Sequence, residues 1–241
     1  MNTVKKAIIM AAGTGSRLQP VTFTTPKPMV KVNGKRMIDT VIEALLANDI
    51  REIYVVVGYL KEAFQELVKD FPMVTLIDNP YADTCNNISS LYVAREHLGD
   101  TIIMDGDQII YNQEILHKDF DRSGYSCTWA EEETDEWLLS VNQEGVVTSC
   151  RRDGGEKGWQ LYSVSRWNKE DGEKLKVHLE YQFDVLKNRQ IYWDDVALFC
   201  HPEDYQLGIY QMELGDLVEV DNLSELQELD SSYKGLERPI K

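Results

Sequence analysis

The chain has 241 residues, 43% of them hydrophobic and 10% aromatic, enough apolar material for one large α/β core and not the composition of a disordered or collagen-like chain. Lys and Arg number 25 against 41 Asp and Glu, a formal net charge of −16, so general binding of nucleic acid or of an anionic membrane is not expected. No apolar run approaches the roughly 20 residues that cross a bilayer, and the stretch after Lys5-Lys6 meets glycine too early for a signal peptide; a soluble, cytoplasmic protein is the expectation.

Val4 to Met10 reads as a buried strand that runs into a glycine loop at Gly13 and Gly15. Residues 20–36, rich in Pro, Thr and Lys, read as irregular, and Ile38, Val41, Ile42, Leu45 and Leu46 fall on one helical face. Residues 53–57 form a second buried strand, 60–71 an amphipathic helix and 74–77 a short strand. Asn87 is placed to cap a helix over 89–98. Residues 101–104 are a further buried strand, followed by Asp105-Gly106-Asp107. Uninterrupted apolar strands alternating with helices imply a parallel sheet covered on both faces. Beyond residue 110 the pattern changes to strands at 125–132, 137–142, 145–150 and 159–164. Helices are expected over 170–188 and from Asp195, short strands at 209–214 and 217–220, and a last helix at 224–233. The expected fold is a single α/β domain: a Rossmann-like, mainly parallel sheet over residues 1–110, with a smaller β-rich part over 111–241.

The charge is unevenly spread. Residues 1–40 hold Lys5, Lys6, Arg17, Lys27, Lys31, Lys35 and Arg36 against Asp39 alone, for +6, so the remaining 201 residues carry −22. Such a basic island suggests a local anionic ligand. Cys85, Cys127, Cys150 and Cys200 show no CxxC or Cys/His spacing, so reduced thiols are expected and a zinc site is not.

The informative stretch is Ala11-Ala12-Gly13-Thr14-Gly15-Ser16-Arg17-Leu18, then Thr24-Thr25-Pro26-Lys27-Pro28. A glycine loop after the first strand of a parallel sheet lets backbone N–H groups approach phosphates, at the end of the sheet where such folds bind ligands. Arg17 and Lys27 add cations beside a polyphosphate. The dinucleotide fingerprint fails at Leu18, and the P-loop fails because Gly34-Lys35 is followed by Arg36.

The stretch resembles the signature AAGxGxRLxPxTxxxPK of nucleotidyltransferases in the sugar-nucleotide pyrophosphorylase superfamily, closely over residues 7–38. The resemblance implies transfer of a nucleotidyl group from an NTP to a phosphorylated acceptor with release of pyrophosphate. It implies that Ala11, Ala12, Gly13, Thr14 and Gly15 wrap the nucleotide and that Arg17 and Lys27 are catalytic. It also implies Mg²⁺ held by Asp107 and a late aspartate, Asp221, with Asp105 beside the nucleotide. Taken alone, Asp221 also suits a helix N-cap before Leu223, and Asp105 a turn. No general base is required, because a phosphate nucleophile is already ionised.

Near full length, Tyr81-Ala82-Asp83, the run from Asn86 to Tyr92, Thr134-Asp135-Glu136-Trp137 and Ile191-Tyr192-Trp193-Asp194-Asp195 are similar to bacterial CTP:phosphocholine cytidylyltransferases of the choline-scavenging type. This implies CTP and phosphocholine as substrates, with Asn87 and Ser89 near the nucleoside, Trp137, Tyr192 and Trp193 as an aromatic cage and Asp194 as counter-charge. Neighbouring residues point different ways, so residues 192–195 cannot all line one pocket. Trp129 and Trp167 read as core. A sugar 1-phosphate or 2-aminoethylphosphonate is the alternative acceptor, the phosphonate calling for fewer aromatics and more carboxylates. A non-catalytic nucleotide-binding regulator is the alternative outside enzymes.

Overall fold

The apolar runs of the first half form parallel strands because both faces of each are covered. In the computed structural model, which describes residues 1–239, β1 (Lys6–Ala11), β2 (Glu52–Val57), β3 (Val74–Asp78) and β4 (Thr101–Asp105) lie in the order β4-β1-β2-β3, all parallel. Alternation along β1 sends Ala7, Ile9 and Ala11 into one core and Ile8 and Met10 into another. Helices α1 (Met37–Ala47) and α2 (Phe64–Asp70) cover the first face through Ile38, Val41, Ile42, Leu45, Phe64 and Leu67; α3 (Ile88–Val93) helps cover the second through Ile88 and Leu91.

The second half extends the same sheet. Its strands are β6 (Gly124–Ala130), β7 (Leu138–Val141), β8 (Val147–Arg151), β9 (Gly158–Trp167) and β10 (Gly208–Gln211), and β5 (Gln108–Ile110) stands apart. The long β9 is the bridge. It pairs antiparallel with β4 through Val164–Trp167, with β7 through Trp159 and Gln160, and with β6 along its other edge. Helix α4 (Lys169–Glu180) packs Leu175 and Leu179 on the second face beside Phe183, Trp167 and Trp193. The predicted mixed, mainly parallel α/β architecture is what the structure shows.

A separate two-stranded sheet positions the chemistry. β11 (Leu217–Glu219) pairs antiparallel with β5, Glu219 opposite Gln108. Asp107 precedes β5 and Asp221 follows β11, so the ladder brings both to one end. Leu18, Val30, Met37, Ile109, Val220, Leu223 and Leu226 form a third core that fastens the glycine loop to this ladder and to α5 (Leu223–Leu229).

Several helix boundaries differ from expectation. The helix expected at 60–71 begins as a 3-10 turn over Lys61–Ala63 and becomes α at Phe64, and Leu60, with a left-handed φ of 48°, stands outside it. The helix expected over 89–98 ends at Val93. The one over 170–188 leaves α geometry after Glu180, where a wider turn hydrogen-bonds Leu186 N–H to Tyr181 O at 3.0 Å. Trp167 is buried as expected, but Trp129 is 45% exposed and donates its indole N–H to Glu131 at 2.7 Å. No helix among the described residues is long and apolar enough to cross a membrane.

Candidate active site

At the carboxyl ends of β1 and β4 lies a cleft of about 290 Å³, lined by Met10 to Arg17, Lys27, Pro28, Asn87, Ser90, Asp105, Asp107 and Asp221. Of the seven basic residues in the first forty, only Arg17 and Lys27 line it. Lys5, Lys35 and Arg36 are taken up in ion pairs with Asp100, Glu43 and Asp39 with Asp70.

The loop geometry explains its glycines. Gly15 has φ +59°, and a Cβ there would stand 2.8 Å from Lys27 Cβ. A side chain would therefore be strained and would displace the lysine. At Gly13 a Cβ would meet no atom within 4 Å and would take up open cleft space instead. Gly15→Ala should cost about 1–3 kcal/mol of stability and lower turnover at least tenfold. Denaturant unfolding and initial rates on the purified variant check both.

Lys27 sits on a short turn between Pro26 and Pro28 and is only 8% exposed. Its ammonium contacts the Asp107 carboxylate and lies 3.1 Å from Asp221 Oδ1. Burial alone would lower its pKa, but the two carboxylates outweigh this and raise it. Arg17 Nη2 donates to the same Asp221 oxygen at 2.9 Å. Asp221 is free for this role because Asn222 caps α5: its side chain accepts from Glu225 N–H in a capping box.

A second pocket, about 220 Å³, adjoins the cleft and shares Asn87, Asp105 and Asp221 with it. Its other walls are Glu136, Trp137, Leu161, Ser163, Tyr192, Asp194 and Glu219. Trp137 meets Tyr192 edge to face, with centroids 5.6 Å apart. The Arg152 guanidinium stands 5.3 Å from the Trp137 ring centre. Asp194 is 5% exposed, and its Oδ1 has no hydrogen-bond partner.

Two site expectations need correction. Trp193 is 1% exposed and packs among Tyr125, Trp167 and the second core, so it is not a wall of the pocket; alternation along 192–194 turns Tyr192 and Asp194 to the pocket and Trp193 inward. Ser89 is likewise buried, accepting from Asn79 at 3.0 Å and donating to Asn86 O at 2.8 Å. Its neighbour Ser90 lines the cleft instead. Asn87 stands at the start of α3 but makes no side-chain cap; its Oδ1 accepts from Trp193 N–H at 2.9 Å, which ties the two pockets together.

The sequence reading assigned no site role to Glu219 or Ser163, and named Glu136 only within the stretch before Trp137. Glu219 lies two residues before Asp221 and could have been found by the period-two rule for an extended segment.

The carboxylates crowd one another. Burial first, then Asp107 and Asp194, push Asp105 well up. Burial also pushes Asp194 and Glu219 up to about 8, with Asp195 adding to the first and Asp107 to the second. A carboxyl whose folded pKa lies above its unfolded one contributes stability below the unfolded value, near 4, and loses it as pH rises toward 8. The thermal midpoint without divalent cation should therefore fall between about pH 5 and pH 8. A midpoint that rises across this window would contradict the assignment.

Asp107 and Asp221 converge on a cation, here the lysine ammonium, within an oversupply of oxygen donors. Carboxylate oxygens of this kind suit Mg²⁺, which takes one or two of them and fills its remaining places with water and substrate phosphate. The donor set fits the ion.

The chain is similar to several known proteins. The Nucleotidyl transferase family profile matches residues 6–126. A 2-aminoethylphosphonate cytidylyltransferase of Lancefieldella rimae is 36% identical over 94% of this chain and 92% of its own. The choline-phosphate cytidylyltransferase of Streptococcus pneumoniae is 31% identical over 95% of this chain and 98% of its own. A solved structure of the CTP:phosphocholine cytidylyltransferase from Streptococcus pneumoniae superposes with a TM-score of 0.88 at 31% identity, covering 96% of this chain and 100% of that one. The chain belongs to the nucleotidyl transferase family and, within it, to the cytidylyltransferases.

Proposed function

We propose that the protein transfers the cytidylyl group of CTP to a small phosphonate or phosphate bearing a primary ammonium, with 2-aminoethylphosphonate as the acceptor. An oxygen of the acceptor attacks the α-phosphorus in line, and pyrophosphate leaves with the electrons of the broken P–O bond. The N–H groups of the glycine loop hold the triphosphate, and Arg17 and Lys27 offset charge on the α-phosphate and the leaving group. Asp107 and Asp221 hold Mg²⁺, which when bound supplies Lewis-acid charge neutralisation to the phosphates. Asn87 and Ser90 face the nucleoside, at the junction with the acceptor pocket.

One observation carries the choice of acceptor. With Trp193 in the core, the second pocket keeps one indole and one phenol, against the carboxyl groups of Asp105, Glu136, Asp194, Glu219 and Asp221. An ammonium has three N–H donors for such acceptors, whereas a trimethylammonium has none. Asp194, buried in the pocket wall with the Tyr125 hydroxyl as its other neighbour, is the acceptor in view; beside an ammonium its carboxyl ionises more readily.

Phosphocholine is the second reading, favoured by the perpendicular Trp137–Tyr192 pair. Pyrophosphate release with CTP, Mg²⁺ and each acceptor separates the two. We expect kcat/KM at least tenfold higher for 2-aminoethylphosphonate, and Asp194→Asn to raise its KM at least tenfold with a smaller change for phosphocholine. A reversed preference would establish the cage reading instead.

A further inference from the structure

Away from the cleft, helix α4 and the turn that leads into β10 bring together two imidazoles and a carboxylate: His178, His201 and Asp204. One ligand atom from each lies within 4.8 Å of the others. His178 Nε2 and His201 Nδ1 each stand 3.6 Å from the same Asp204 Oδ2. Ligand atoms on a tetrahedral zinc ion, bonded at about 2.0–2.1 Å, lie about 3.3 Å apart, so both nitrogen–oxygen separations are within a few tenths of an ångström of what the ion needs.

The surrounding groups are those expected of outer partners. His178 Nδ1 is 2.8 Å from Tyr205 Oη; with the proton on Nδ1 donated to that oxygen, Nε2 presents its lone pair toward Asp204. His201 Nε2 is 3.1 Å from the Gln182 amide, which is bonded in turn to Asn188 at 3.0 Å. With both amides turned over, Gln182 accepts from His201 Nε2–H and the amide pair keeps its bond in reverse, leaving Nδ1 free. The two rings are stacked, with centroids 3.8 Å apart and planes 6° from parallel, so coordination requires them to splay. Asp204 is exposed and both imidazoles are partly exposed, so the ion has an entry path and room for a water as fourth ligand.

We propose that His178, His201 and Asp204 bind Zn²⁺, which ties α4 to the segment 201–205 and so steadies Tyr205 against Trp167 in the second core. The cysteines play no part in it; the donor set is assembled by the fold from positions up to 26 residues apart.

The test uses full-length protein stripped with chelator and titrated with ZnCl2, with bound metal counted per chain. Wild type should hold one Zn²⁺ more than His178→Gln/His201→Gln, and its thermal midpoint should rise by on the order of 5 °C at about 100-fold excess over Kd. The variant's midpoint should not respond. Circular dichroism and an unchanged rate of pyrophosphate release establish that it is folded; if it is not, Asp204→Asn replaces it and should weaken Zn²⁺ binding at least tenfold. Equal zinc content in wild type and a folded variant, or no midpoint rise in wild type, would overturn the proposal.

Discussion

Lys27→Met should lower kcat at least 10³-fold, about 4 kcal/mol of transition-state stabilisation, with a much smaller effect on CTP affinity. The lysine is the cation in contact with both Asp107 and Asp221, and nothing else in the cleft can replace it, since Arg17 reaches only Asp221 among the site carboxylates. The substitution keeps an unbranched apolar stem only one atom shorter, so the turn between Pro26 and Pro28 is preserved. It also leaves Asp107 and Asp221 facing each other without a counter-charge. Removing one member of a buried pair costs about 3–5 kcal/mol, reduced here because the carboxylates are 26% and 33% exposed. The variant should therefore melt well below wild type without Mg²⁺ and recover most of the difference when Mg²⁺ is added. Stopped-time pyrophosphate assays and thermal scans with and without the ion measure both effects. A variant within tenfold of wild-type kcat would remove Lys27 from the reaction.

Asp107→Asn should abolish measurable turnover at any Mg²⁺ concentration while sparing the fold. The amide is nearly the size of the carboxylate, and Asp107 lies outside the three apolar cores. What is lost is a charged oxygen for the metal and one of the two partners that raise the Lys27 pKa. The same change relieves crowding, because Asp107 is among the charges that push Asp105 and Glu219 up. At pH 8 the metal-free variant loses the Lys27–Asp107 ion pair but gains this relief, so it should be destabilised less than Lys27→Met. Unimpaired secondary structure together with absent turnover separates a ligand from a structural residue, and near-normal turnover at saturating Mg²⁺ would contradict the metal assignment.

The parallel half of the fold was legible because buried strands leave a local mark: residues 7–11, 53–57 and 102–104 are apolar without interruption. The glycine loop was legible for a similar reason, since Gly13, Gly15, Arg17 and Lys27 sit within fifteen residues of one another and act through local backbone geometry. Asp107 and Asp221 are 114 residues apart, and only the family likeness paired them; the β5–β11 ladder that joins them is two three-residue strands with no periodic signal of their own. Which side of the chain faces the acceptor was not legible either. Tyr192, Trp193 and Asp194 alternate between pocket and core, and the phase is set by Asn87 accepting from the Trp193 backbone N–H at 2.9 Å, a contact between segments 106 residues apart. Trp129 was read as core from its chemistry alone, but it lies near the end of β6, where the sheet no longer covers it.

The measurement that tests the account most directly is a competition. The enzyme is given CTP and Mg²⁺ with equal 2-aminoethylphosphonate and phosphocholine, and the products are resolved by ³¹P NMR, in which a phosphonate–phosphate anhydride and a pyrophosphate diester have separate resonances. The account predicts the CMP-linked phosphonate as the main product, with equimolar pyrophosphate. CDP-choline as the main product would contradict the acceptor assignment, and pyrophosphate release with no nucleotidyl product would contradict the transfer reaction itself.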